Sequence, residues 1–119
     1  MTWETDLRAR VKTAVARVAW GVAPQEWQPP FAVLTVVNDP RPETFQSPIS
    51  LRGSTVQIDI YDDDRETIAG LVEDVIAAIQ PDGADSIEKG FVTDTRERGE
   101  KTPTAYLHRF SIDAVIWHN

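Results

Sequence analysis

Two histidines, a serine–aspartate pair and a run of acids are the side chains here with chemical potential. His108, Ser111 and Asp113 are the residue types of a hydrolase triad. That chemistry requires nucleophile, base and orienting acid within mutual hydrogen-bond reach. Alternate side chains of a strand take opposite faces, so Ser111 and Asp113 share one face and His108 points to the other. The chain also lacks a Gly-x-Ser-x-Gly elbow. His108 and His118 would lie roughly 33 Å apart on a straight strand, too far for one zinc. There is no cysteine, which removes thiolate catalysis, iron–sulfur clusters, Cys-based zinc sites and disulfides. Asp62-Asp63-Asp64 offers oxygen ligands of the kind a hard cation accepts. The run lacks the spaced loop and distant Glu of a calcium hand, so it reads as a solvated strand end whose charge favours the following helix. The six glycines are isolated from one another, so no loop is built to cradle phosphate. The expectation is a protein that is not an enzyme and holds no cofactor or metal.

The aromatic and basic residues are more informative. Trp20 and Trp27 flank a proline-rich stretch, and Trp117 lies near the end of the sequence. Bulky aromatics at loops and strand ends either cap a core or anchor a protein–protein contact. Arg8, Arg10, Arg17, Arg96 and Arg98 are the arginines expected either to meet acids of a neighbouring copy or to be ordinary surface charge, since exposed pairs contribute little individually. The formal charge is −7 over 119 residues, from 19 acids and 12 bases. A domain so acidic is poorly suited to gripping nucleic acid, where affinity comes largely from neutralising phosphates. Residues 59–74 hold seven acids and one base, whereas residues 1–20 carry a net +2. This polarity suits stacking against copies or partners.

The elements that must position these residues follow from periodicity. Leu7, Val11, Ala14, Val15 and Val18 share a helical face, predicting a helix over 6–20 started by Thr5 or Asp6 and ended by Gly21. Residues 31–38 are β-branched and apolar on both faces, as in an internal strand. Residues 45–51 form a weak edge strand, because Pro48 cannot donate to a ladder. Residues 55–61 alternate cleanly. A second helix follows, with Asp63 and Glu66 at capping-box spacing and Ile68, Leu71, Val72, Val75, Ile76 and Ile79 as its apolar stripe. Residues 87–95 and 105–117 are strands joined by a charged tip over 96–101. The order is α-β-β-β-α-β-β. This is an α+β domain, a mostly antiparallel sheet of four to five strands with two helices on one face. The 41% hydrophobic and 26% charged content is ordinary for one globular domain over 1–119. No apolar run approaches the roughly 20 residues of a membrane span, and no signal peptide is evident, so the expected compartment is the cytoplasm.

Three segments carry a resemblance. They are the Pro24-Gln25 and Pro29-Pro30-Phe31 lead into the first strand, Val56-Gln57-Ile58-Asp59-Ile60-Tyr61, and the ending Phe110-Ser111-Ile112-Asp113-Ala114-Val115-Ile116-Trp117. Nearly the whole chain resembles the tail completion family of long-tailed bacteriophages, the tail terminators or tail-to-head joining proteins, with relatives in prophages and gene transfer particles. The resemblance implies a homo-oligomeric ring, commonly a hexamer, on the finished tail tube. Its partners would be the tail tube protein and the head connector or head-closure protein, and its place the virion, after assembly in the host cytoplasm. DNA would pass through the bore without specific binding. Six copies at −7 each carry −42, and a wall of like charge lets a polyanion slide without sticking. Asp59, Asp62, Asp63 and Asp64 are the expected bore or rim acids. Trp20, Trp27, Trp117, Arg8, Arg17, Arg96 and Arg98 are the expected interface, along with the 22–30, 39–54 and 96–104 segments and the C-terminal strand. Two other expectations are a head-closure or other neck protein, and, from a different class, a small ligand-binding module or enzyme on the open sheet face. The last requires a concave pocket with convergent polar groups, and the sequence by itself points to no such cluster.

Overall fold

Acids at the start of a helix and bases at its end complement the helix dipole. Glu4 and Asp6 open α1, Trp3–Lys12, and Arg10 and Lys12 close it. The structure is a computed structural model and describes residues 3–24, 27–28, 30–38, 52–80, 87–101 and 106–118. Leu7 and Val11 of α1 are fully buried. The helix stops eight residues before its expected end. Turn bonds from Thr13, Ala14 and Val15 back to Arg10 and Val11 close it, and the chain then runs straight into β1, Val18–Trp20. β1 lies parallel to β2, Phe31–Asn38, and the amides of Ala32 and Gly21 bond the carbonyls of Arg17 and Leu34. Val15 and Val18 are buried as the helical pattern requires, but a turn and a strand bury them. Gly21 takes a left-handed φ of 82°, terminating a strand where a helix was expected.

The remaining elements are β3, Arg52–Asp62; α2, Arg65–Ile79; β4, Ile87–Lys101; and β5, Tyr106–His118. The sheet order is β1-β2-β3-β5-β4, antiparallel except for β1–β2. The α+β class and the α-β-β-β-α-β-β order are as expected, with both helices on one face. The three strands before α2 are not the three foreseen, because β1 is additional. The expected strand over 45–51 lies outside the described residues. β4 runs through Arg96–Lys101, which were expected as a hairpin tip. Its backbone pairs there with residues 106–111 of β5.

The covered face of the sheet carries Ala32, Leu34, Val56, Ile58, Ile60, Ile112, Ala114 and Ile116, packed on Leu7, Val11, Ile68, Val72, Val75 and Ile79. Each Val, Leu and Ile among them contributes about 1.5–3 kcal/mol by leaving water. Two details lock the helices onto it. The last turn of α2 contains no base, and Arg10 of α1 supplies one, its Nη1 donating to the Ile79 carbonyl at 3.1 Å and its Nη2 to that of Ile87 at 3.5 Å. Where β4 passes beneath that turn stands Gly90, and a Cβ there would come 2.5 Å from the Ile79 oxygen.

Candidate functional site

The uncovered face of the sheet is built from the alternate residues of the same strands. Register places Gln57 opposite Asp113, Asp59 opposite Ser111, and Tyr61 opposite Arg109. Asp59 is only 4% exposed although no helix covers it. Its carboxylate accepts from Ser111 Oγ at 2.6 Å, from Gln57 Nε2 at 3.0 and 3.1 Å, and from Arg109 Nη2 at 3.2 Å. Two neutral donors and one guanidinium together offset the cost of taking a carboxylate out of water. The Arg109 guanidinium also lies over the Tyr61 ring, 5.7 Å from its centre. Tyr61 stacks on Phe31 at 4.9 Å, and Phe31 meets the edge of Trp27 at 6.3 Å. Across β4 and β5, Arg96 Nη1 bridges Asp113 at 2.9 Å and Asp94 at 3.0 Å.

The loop after β1 rises beside this network and makes a groove of about 480 Å³. Its walls include Val22, Phe31 and Val33, and its floor includes Gln57, Asp59 and Arg109. The cluster of convergent polar groups that the sequence did not reveal is therefore present. Finding it required the β3–β5 pairing, which aligns two strands fifty residues apart. The only sequence signal was that the polar positions of 55–61 and 109–113 each alternate.

The four acids expected together fall into different environments. Asp59 belongs to the open face. Asp62 is 3% exposed at the end of β3, and its Oδ1 accepts from the Asp63 and Asp64 amides. Its Oδ2 is buried with no hydrogen-bond partner. Burial, and then the Asp63 side chain, push its pKa up. Asp63 is exposed. Asp64, not Asp63, caps α2: its backbone is extended and its Oδ1 accepts from the amides of Glu66 at 2.9 Å and Thr67 at 3.5 Å. Those bonds hold its pKa below the usual carboxylate value. The cap is one residue later than expected because Asp62 already bonds the Asp63 and Asp64 amides, which leaves Asp64 at the helix threshold.

The expected interface residues divide likewise. Trp20 is half-buried against the edge of Trp3, with centroids 6.0 Å apart. Trp27 packs on Phe31, Arg8 Nε donates to the Val18 carbonyl at 3.0 Å, and Arg17 Nη1 donates to that of Gln28 at 2.8 Å. Arg96 is held by its aspartates. Arg98 lies opposite Arg109 in β4, its side chain outside what is described. Trp117 is 38% exposed. His118 is fully buried, hydrogen-bonded to Ser54 Oγ at 2.7 Å and stacked on Trp3 at 4.3 Å. His108 lies opposite Asp62, on the face away from Ser111 and Asp113, so the three triad letters do not meet. Among the described residues no group of three or more His, Asp or Glu is arranged to hold a metal ion. No described helix is long and apolar enough to cross a membrane.

No protein-family model matches this chain, and no curated protein sequence matches it. A solved structure does share its fold. A chain of "Virion of native gene transfer agent (GTA) particle" superposes with a TM-score of 0.54 at 18% identity, over 94% of this chain and 83% of that one.

Proposed function

We propose that this chain is a structural protein of a phage-like particle: a ring, six copies in the simplest reading, that ends the tail tube and joins it to the head connector. The observation that carries the proposal is the fold shared over 94% of the chain with a component of a gene transfer agent virion, together with the sequence resemblance to tail completion proteins. The charge agrees with a bore that passes DNA, since like charge prevents adhesion. Asp63 and Asp64, exposed at the β3–α2 junction, are the carboxylates available to a bore or rim. Asp59 and Asp62 have structural work in the single chain. A head-closure or other neck protein would use the same stacked-ring logic. The groove beside Asp59 favours a second reading, a small ligand-binding module, but the Asp59 carboxylate is already engaged by three side chains.

The test is genetic and structural. Particles made without this chain should accumulate as filled heads and unjoined tails. Mass photometry of the purified protein mixed with tail tubes should show a cap whose mass is a multiple of the monomer. Normal, joined particles in its absence would end the proposal.

A further inference from the structure

One end of the open sheet face is apolar and unoccupied. Phe91 of β4 is 39% exposed and Trp117 of β5 is 38% exposed, and Val115 lies between them in register. The Trp117 ring rests flat on Gly53, where an added Cβ would sit 3.0 Å from it. The backbone thus presents the ring outward in a fixed position. Lys89 stands at the rim, its Nζ 5.4 Å from the Phe91 ring centre.

The opposite layer offers the complement. The solvent side of α2 shows Ala69, Gly70 and Ala77, with Glu66, Glu73 and Asp74 around them. Nothing lies within 4 Å of where a Gly70 side chain would begin, so a ring can approach the helix backbone closely. The two faces also differ in charge. Lys89 brings a positive charge to the Phe91–Trp117 end of the open face, whereas the exposed side of α2 carries Glu66, Glu73 and Asp74.

We infer that the Phe91–Trp117 patch of one copy docks on the outer face of α2 of the next, with Lys89 meeting Glu73 and Asp74. The inference rests on the ring reading above and names its subunit contact. Because the two surfaces are different, the contact is head-to-tail, the kind that closes into rings.

A charge exchange tests it. Lys89→Glu alone, and the pair Glu73→Lys with Asp74→Lys alone, should each abolish higher oligomers of the full chain in native mass spectrometry. Mixing the two variants should restore hetero-oligomers, at least tenfold more abundant than in either alone. Since the chain has no cysteine, a mixture of Lys89→Cys and Glu73→Cys chains under mild oxidation should also give a crosslinked heterodimer. Oligomers that survive both charge variants would overturn this contact and leave the ring reading standing. Wild-type chains that do not assemble, together with Lys89→Cys and Glu73→Cys chains that do not crosslink, would overturn it as well. Joined particles built without the protein would remove the ring reading itself.

Discussion

The two faces of this sheet are made by the same strands and obey different rules. In β3, Val56, Ile58 and Ile60 face the helices and are fully buried, while Gln57, Asp59 and Tyr61 face outward. The covered face is held by volume: aliphatic side chains, two helices and a glycine beneath a helix end. The open face is held by connections. A carboxylate reaches 4% exposure there through hydrogen bonds and one guanidinium, without a covering layer. The lesson is that burial here has two sources, apolar packing on one side and polar closure on the other. They should fail differently.

The sharpest way to separate them is by substitution. Ile58→Ala opens a cavity in the covered face and should cost about 2–5 kcal/mol in urea unfolding. Asp59→Ala leaves Ser111, Gln57 and Arg109 short of their common acceptor. It should cost about 1–3 kcal/mol, discounted because Arg109 is partly solvated, and should change the near-ultraviolet signal of Tyr61 more than that of the core. A cost for Asp59→Ala as large as that of Ile58→Ala would break the distinction.

The β3–α2 junction sharpens it further, because its two acids carry opposite pH signs. Asp64→Ala removes the cap and should lower stability less than Asp59→Ala, with faster amide exchange confined to the first turn of α2. The folded pKa of Asp64 is lowered, so its contribution is present above the usual carboxylate range and is lost as pH falls through the folded value. The folded pKa of Asp62 is raised, so the fold loses stability as pH rises from the usual aspartate range through the folded value. Asp62→Asn keeps the acceptor for the Asp63 and Asp64 amides and removes the buried charge. The smallest effect expected is therefore a slight gain at neutral pH, with a flatter pH profile in thermal melts.

How much of this was legible depended on distance along the chain. The alternation of 55–61 and 105–117 named both faces of β3 and β5 correctly, because period two needs no partner. The stripe from Ile68 to Ile79 named the buried side of α2 for the same reason. What failed were features decided by another segment. Val15 and Val18 fit a helical stripe, but pairing of residues 18–20 with β2 overrides that local preference. Three consecutive aspartates could each cap a helix, and the end of β3 chose among them. Arg96–Lys101 has the composition of a solvated tip, but pairing with β5 makes its backbone strand. Asp59 was grouped with its sequence neighbours, when its partners are Arg109 and Ser111.

The position of β5 has a consequence for how the protein is made. It is the last of the seven described elements in chain order, yet it lies between β3 and β4 and hydrogen-bonds to both. During synthesis the earlier strands must wait on the ribosome with a seam in the sheet, since β4 has no other described strand beside it. Only when residues 106–118 emerge can the seam close, and slow non-local pairing of that kind leaves apolar edges exposed meanwhile. A premature stop inside β5 would therefore release a chain inclined to aggregate, not a slightly shortened working subunit.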